Sequence, residues 1–141
     1  MAVDTAPAER TLAIPAEHAR LRDVRRFAEE TAAECGFAAA EVEQIKLAIN
    51  EAAANAVEHG SASPGDEVRL RASAEDGALA IYVADAGRFV PSASAWSELA
   101  ERGRGMLVMA LLMDEVDVRP SPDGTVIRLS RQLPGERPAP M

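Results

Sequence analysis

The feature that most constrains this chain is an alanine-rich segment, residues 49–60, in which polar side chains recur at every fourth position. Those positions hold Glu51, Asn55 and His59, and a spacing of four places them one turn above another on one helical face. Alanine has the highest helix propensity, so the segment predicts a thin helical wall. A carboxylate one turn from a carboxamide, beside a buried face, could hold a hydrated metal ion and a nucleophile. That hypothesis requires that motifs elsewhere in the chain provide a binding site for a ligand next to this helix.

Composition indicates one globular domain with an aliphatic core. The chain has 141 residues, of which 48% are hydrophobic, 27% charged and 4% aromatic, within the range of a single packed domain. The net charge of −8 and the lack of a long basic run argue against nucleic acid as a partner. A magnesium nucleotide or a basic protein surface remains compatible with that charge. The single cysteine, Cys35, excludes an internal disulfide and fits a small core residue.

Targeting signals are not evident in the sequence. No apolar run is long enough to span a membrane, and residues 1–7 do not show a charged segment followed by an apolar one. We therefore expect a cytoplasmic protein without a membrane partner.

The hydrophobic periodicity predicts an α+β domain. Strands are predicted at residues 10–14, 67–73, 78–83, 115–119 and 125–132, and helices from residue 15 to about 35, from 38 to 59 and from about 103 to 113. Because strands and helices do not alternate strictly, we expect helices on one face of a mainly antiparallel sheet. Residues 1–133 are predicted to form one domain, and the proline-rich residues 134–141 a disordered tail.

An aspartate follows the third predicted strand. Asp85 at a strand end can accept a hydrogen bond from a purine amino group, and Gly87 permits close approach of the backbone to a ring. Most Asp-x-Gly sequences are ordinary turns, so the motif alone is weak. Thr125 begins the last strand after a turn, where its hydroxyl could also face a purine.

Two glycines and two arginines precede the third predicted helix. Gly103 and Gly105 would leave backbone N–H groups open to an anion at the positive end of the helix dipole, and Arg102 and Arg104 add charge for a phosphate. The alternative is a flexible hinge at a helix start. The coincidence of these features favours phosphate binding.

The order of these motifs resembles the GHKL ATPase superfamily, which includes gyrase, histidine kinases and a heat-shock chaperone ATPase. More narrowly it is similar to the anti-sigma-factor serine kinases of bacterial partner-switching systems. Their usual wording is Glu-Ala-x-x-Asn-Ala-x-x-His-Gly and Arg-Gly-x-Gly-x-x-x-Met-x-x-x-x-Asp-Glu-Val. Here those motifs are residues 51–60 and 102–116, and the resemblance covers residues 11–132.

The resemblance implies a Bergerat-type fold, a two-layer sandwich of a mixed, mainly antiparallel sheet with three helices on one face. It also implies a role for each matched position. Asn55 would carry Mg²⁺ bridged to the phosphates of ATP, and Glu51 would be the general base toward a protein serine hydroxyl. Asp85 would bind the adenine amino group, with Gly87 beneath the ring and Thr125 in support.

The phosphates would contact Gly103, Arg104 and Gly105, under a lid formed by residues 92–104. The implied function is a serine kinase that binds a sigma factor or another target and phosphorylates a STAS-domain anti-anti-sigma antagonist. The family commonly forms homodimers through the N-terminal region.

One motif departs from the family pattern. The usual Asp-x-Gly-x-Gly lacks its second glycine in residues 85–91. This departure keeps open a second function, a partner-sequestering module without catalysis. A third, the ATPase half of a histidine kinase acting in trans, ranks low because no dimerisation and phosphoacceptor segment precedes the domain.

Overall fold

The fold is a single five-stranded sheet with helices packed on one side. A computed structural model describes residues 9–59, 65–86, 103–121 and 124–136. The strands are β1 (Arg10–Pro15), β2 (Glu67–Glu75), β3 (Ala78–Asp85), β4 (Glu115–Ser121) and β5 (Gly124–Gln132), and the helices are α1 (Leu21–Glu34), α2 (Ala39–His59) and α3 (Gly103–Leu112). The strand order across the sheet is β1-β2-β3-β5-β4.

Two hairpins build most of the sheet. In the β2–β3 hairpin, Asp76 and Gly77 have φ angles of 50° and 77°, the left-handed pair that a tight two-residue turn requires. All four strand pairings in the described part of the chain are antiparallel. The predicted two-layer α+β fold is confirmed, but these strands include no parallel pair of the kind that a mixed sheet implies.

The core lies between the sheet and the helices. Alternate residues of β2 and β3 turn toward the helices, and Val68 and Ile81 are fully buried there. From the helix side, Ile45 and Ile49 of α2 are also fully buried. The helix period of 3.6 and the strand period of two therefore meet in one apolar layer, which fixes α2 against β2 and β3.

The first helix begins later than its sequence predicts. Pro15 still belongs to β1, a short 3₁₀ turn occupies His18–Arg20, and α1 starts at Leu21. The Ala16 N–H donates to the carbonyl oxygen of Asp66 at 2.8 Å, so the chain after Pro15 remains tied to the entry of β2. The pairing of β1 with β2 thus extends one residue beyond Pro15. Glu17 is still extended, with φ of −131° and ψ of 135°, so helical geometry begins only at His18.

Cys35 and the C-terminal end of the domain are packed elements. Cys35 is half-buried against the core, and burial is the main cause that raises the pKa of its thiol to about 11, as expected of an unreactive structural cysteine. The predicted disordered tail is partly ordered, because Pro134–Glu136 form a 3₁₀ turn. The Leu133 N–H donates to the Gly77 carbonyl at 2.9 Å and holds the chain there; residues 137–141 lie outside the described residues.

Within the part of the chain that the structure describes, no helix combines the length and apolarity needed to cross a membrane.

Candidate functional site

The alanine-rich wall predicted from the sequence is α2. In this segment the side of α2 that faces the core consists of Ala52, Ala53 and Ala56, each of which is at most 2% exposed. Glu51 and Asn55 lie on the adjacent side of the helix and are partly buried. The small alanines let α2 lie close to the sheet, while the two polar side chains remain at the border between core and solvent.

The first turn of α3 approaches α2 at Gly105. A Cβ atom built on Gly105 would lie 3.2 Å from Asn55 Nδ2 and 3.2 Å from Glu51 Oε2. Those separations are shorter than ordinary carbon contacts, so only glycine fits here without moving a neighbour. The helix start predicted near Gly103 is confirmed, and the structure brings it together with Glu51 and Asn55.

Asn55 carries a buried donor without an acceptor. Its Nδ2 atom has no hydrogen-bond partner in the described structure. An unsatisfied buried amide donor costs about 1–3 kcal/mol, and asparagine is already a poor residue for a helix interior. A ligand oxygen beside α2 would remove this cost, so Asn55 is a candidate binding position.

Asp85 and Thr125 are neighbours across two strands. They are directly paired in the β3–β5 ladder, and paired residues direct their side chains to the same face of a sheet. That face is the helix side, because Val83, two residues before Asp85 and therefore on the same face of β3, is buried. Thr125 is itself buried, at 8% exposure.

Gly124 is a site residue that the sequence reasoning did not single out. Its φ of 148° is unusual for other residues, and a Cβ atom there would overlap the carbonyl oxygen of Asp85 and lie 3.1 Å from the Cα of Ala86. Gly124 therefore allows β5 to begin against the end of β3. The signal in the sequence is the glycine between Asp123 and Thr125, which by itself predicts only a turn.

The two groups of residues lie toward the same end of the sheet. β3 ends at Asp85, and β2 begins beside that end, because Arg69 pairs with Ala84. The chain reaches β2 from the C-terminal end of α2 through residues 60–66. Asn55 is one turn from that end of α2, so this topology places it toward the end of the sheet that carries Asp85 and Thr125.

Some predicted positions are not described by the structure. Gly87 and most of the predicted lid lie in residues 87–102, outside the described ranges. Arg104 belongs to the first turn of α3, and its side chain is not described. His59 is the last residue of α2, as its position before Gly60 predicted.

The donor set fits a metal that arrives with a nucleotide. Among the described residues, no group of three or more His, Cys, Asp or Glu side chains could hold a metal ion. Mg²⁺ bound with a nucleotide needs only one or two protein oxygens, because phosphates and water supply the rest. Asn55 beside Glu51 meets that smaller requirement.

Comparison with known families assigns the fold and the class. The family described as "Histidine kinase-like ATPase domain" matches residues 14–131. "Serine-protein kinase RsbW" of Bacillus velezensis is 32% identical over 138 residues, which cover 88% of this chain and 85% of that protein. "Anti-sigma F factor" of Pasteuria penetrans is 34% identical over 108 residues, 69% of this chain and 72% of that protein. The chain belongs to the histidine kinase-like ATPase family, and within it to the branch of these serine-protein kinases.

Solved structures agree with this assignment. The RsbU and RsbW domains of a Mycobacterium tuberculosis protein match with a TM-score of 0.71 and 26% identity over 94% of this chain. This chain spans 34% of that longer one. A histidine kinase domain from Erythrobacter litoralis shares the fold, with a TM-score of 0.56 and 23% identity over 85% of this chain and 62% of that one.

Gly124→Ala tests the junction of β3 and β5. The new Cβ would meet backbone atoms of Asp85 and Ala86, which cannot move aside as a side chain does, so we expect a loss of about 2–4 kcal/mol in the free energy of unfolding. Urea denaturation measures it. Gly135→Ala is the control, because its Cβ would meet no atom within 4 Å; equal stability of both variants would contradict the steric assignment.

Gly105→Ala tests the α2–α3 approach separately from stability. Alanine gains up to about 1 kcal/mol of helix propensity, which offsets the cost of displacing the Glu51 and Asn55 side chains by a few tenths of an ångström. We expect the free energy of unfolding to change by no more than about 1 kcal/mol, while the Kd for ATP rises at least about tenfold. Calorimetric titration measures the affinity, and an unchanged Kd would show that this contact does not shape the site.

Proposed function

We propose that this protein binds ATP with Mg²⁺ and transfers the γ-phosphoryl group to a serine of a partner protein. The observation that carries the proposal is the position of Gly105, whose missing side chain leaves the start of α3 against Glu51 and Asn55. A helix start, a carboxamide and a carboxylate are thereby gathered at one place. Phosphoryl transfer depends on positioning and charge stabilisation more than on covalent chemistry, so a small set of groups is sufficient.

Asn55 would hold the metal. Its carboxamide oxygen is a hard ligand of the kind that Mg²⁺ takes, and its buried Nδ2 atom could donate to a phosphate oxygen or a metal-bound water. Bound Mg²⁺ supplies neutralisation of the phosphate charge. The Asn55 side chain would then bind the metal through its oxygen, and its buried N–H group would gain a hydrogen-bond acceptor.

Glu51 would act as the general base. Its Oε2 atom lies as close to the Gly105 position as the Asn55 amide does, so the carboxylate stands beside the predicted phosphate position. There it would accept the proton of the serine hydroxyl as that oxygen attacks phosphorus. A carboxylate one turn from the metal ligand can reach the nucleophile without itself binding Mg²⁺.

The remaining groups support binding of the nucleotide. The first N–H groups of α3, at Gly103, Arg104 and Gly105, have no partner within the helix and face an anion favourably. Asp85, with Thr125 beside it and Gly87 after it, would recognise the adenine amino group. Their placement toward the same end of the sheet as Asn55 is compatible with one extended nucleotide site.

The partners proposed are a sigma factor, or another regulatory target, and a STAS-domain antagonist that carries the acceptor serine. Two surfaces support protein partners. The segment that starts α1 exposes Arg20, Arg22 and Arg25 on a chain of net charge −8, which suits an acidic partner surface. On α3, Leu107 and Leu111 are 59% and 73% exposed, which is unusual for large apolar side chains one turn apart.

A second function, sequestration of a partner without catalysis, is favoured by one feature. Residues 85–91 lack the second glycine of the family motif, so the backbone there has less freedom to approach a ring. In that case the fold would bind its target, and Glu51 would have no chemical task.

Glu51→Gln separates the two functions. With the acceptor protein and Mg-ATP, we expect this variant to keep its ATP affinity within about threefold and to lose about 10²–10⁴-fold in kcat, because the general base is removed. Asn55→Ala should instead lose ATP binding. Transfer of ³²P to the acceptor measures kcat, and Glu43→Gln, an exposed carboxylate on the same helix, is the matched control.

Two results would refute the kinase proposal. One is the absence of transfer by the wild-type protein under conditions where ATP binds. The other is an unchanged rate in Glu51→Gln. If the variant also left the regulatory switch in cells intact, the sequestering module would be the better description.

We also propose that the protein forms a homodimer and acts in the cytoplasm, as the resemblance implies. The sheet face turned away from the helices supports association, because Tyr82, Ala84 and Val126 line a groove there that also includes Arg71. Light scattering should give the mass of two chains at micromolar concentration. A single-chain mass across that range would contradict the homodimer.

A further inference from the structure

An arginine on β5 connects three elements of the fold beneath α3. The Arg131 Nη1 atom donates to the carbonyl oxygen of Leu112, the last residue of α3, at 3.1 Å. Its Nη2 atom donates to Glu41 Oε2 at 3.1 Å, and Glu41 lies in the first turn of α2. The two side chains are only 16% and 18% exposed, so this is a partly buried, charge-assisted contact.

The chemistry of Arg131 suits both partners. The last carbonyl groups of a helix have no partner within it, and a cation there interacts favourably with the dipole. A guanidinium presents several N–H donors in a rigid plane, so it can serve a carboxylate and a carbonyl at once. A lysine ammonium at this position would not reproduce that geometry.

Other hydrogen bonds hold the same end of α3 on β5. Immediately after the helix, the Asp114 N–H donates to the Ser130 carbonyl at 2.9 Å. Its carboxylate accepts from the Gln132 N–H at 2.6 Å. The residues on either side of Arg131 therefore fix where α3 ends, and Arg131 extends this connection to α2.

The two ends of α3 meet α2 at different places. Gly105 lies beside Glu51 and Asn55 in the second half of α2, whereas Leu112 is joined through Arg131 to Glu41 in its first turn. The helix thus runs antiparallel to α2, and its ten residues span about 15 Å. One end lies at the close glycine contact, where an added Cβ would displace the Glu51 and Asn55 side chains slightly, and the other is held by the guanidinium.

We infer that Arg131 is a positioning residue for the nucleotide site, because it sets the location of α3 along α2 and so the distance of the Gly105 backbone from Asn55 and Glu51. The inference rests on the proposed function, since it concerns the affinity of that site. Arg131 would not contact the nucleotide. It acts through α3, whose last residue, Leu112, lies about 10 Å along the helix from Gly105.

The test compares Arg131→Met with Arg119→Met. Methionine keeps an apolar stem and removes the guanidinium. Arg119 lies on the neighbouring strand β4, is 57% exposed and contacts Asp117 at 2.7 Å, so its variant reports the loss of an arginine elsewhere on the sheet. Both are measured on the full chain for Mg-ATP Kd, for KM and kcat of transfer, and for hydrogen exchange of the amides of residues 106–112 without nucleotide.

We expect Arg131→Met to raise the Kd and the KM for ATP about tenfold and to speed amide exchange in α3, with no change in α1. Arg119→Met should do neither. Glu41→Gln keeps an oxygen that can accept from Arg131, so it should raise the Kd less. Its effect should be smaller when it is added to Arg131→Met, because the two residues share the Arg131–Glu41 contact.

The outcomes separate this inference from the proposed function. If wild-type protein binds ATP and Arg131→Met binds it within twofold, the positioning role is overturned, even if the melting temperature falls. If wild-type protein binds no ATP, the proposed function fails, and exchange in α3 decides alone. Faster exchange in Arg131→Met would support the hold of Arg131 on α3, and unchanged exchange would refute it.

Discussion

The site depends on how closely two helices can approach. Packed helices usually stand 8–10 Å apart, and the side chains at the contact set the distance. At the start of α3 the contact residue is Gly105, and a Cβ atom built there would lie 3.2 Å from both Asn55 and Glu51. A larger residue at Gly105 would separate the helices, and the backbone donors of α3 would then no longer stand beside those two side chains.

This arrangement also explains how an acidic protein can bind an anion. The chain carries a net charge of −8, and Glu51 adds a carboxylate next to the proposed phosphate position. Attraction must therefore be local. The start of α3 supplies N–H groups without intrahelical partners and a positive dipole end, and a magnesium ion held at Asn55 would offset the negative charge of the phosphates. Positive potential at the proposed site would therefore come from the helix start and a bound metal rather than from the net charge.

Local patterns predicted most elements of this fold, and they failed where distant residues decide. The core stripe of α2 and the alternation of β2 and β3 are periodic, so their existence followed from sequence. The late start of α1 did not, because the pairing of β1 with the distant strand β2 continues past Pro15 to Ala16 and Asp66. In the site, the spacing of Glu51 and Asn55 identified one wall. The contact of Gly105 with that wall and the contact of Gly124 with Asp85 each join residues far apart in the sequence. Spacing along the chain alone does not predict such contacts.

The position of α3 along α2 depends on specific contacts at both of its ends. Its inner face is apolar, and Met109 is fully buried, but apolar packing has no direction and would permit the helix to slide or turn along α2. Directional contacts limit that freedom. At the C-terminal end these are the Arg131 hydrogen bonds to Leu112 and Glu41, and at the other end Gly105 sets how closely the helices approach. The unsatisfied amide of Asn55 lies on α2 beside Gly105. A ligand oxygen bound there would remove the cost of burying that donor and so stabilise the folded state.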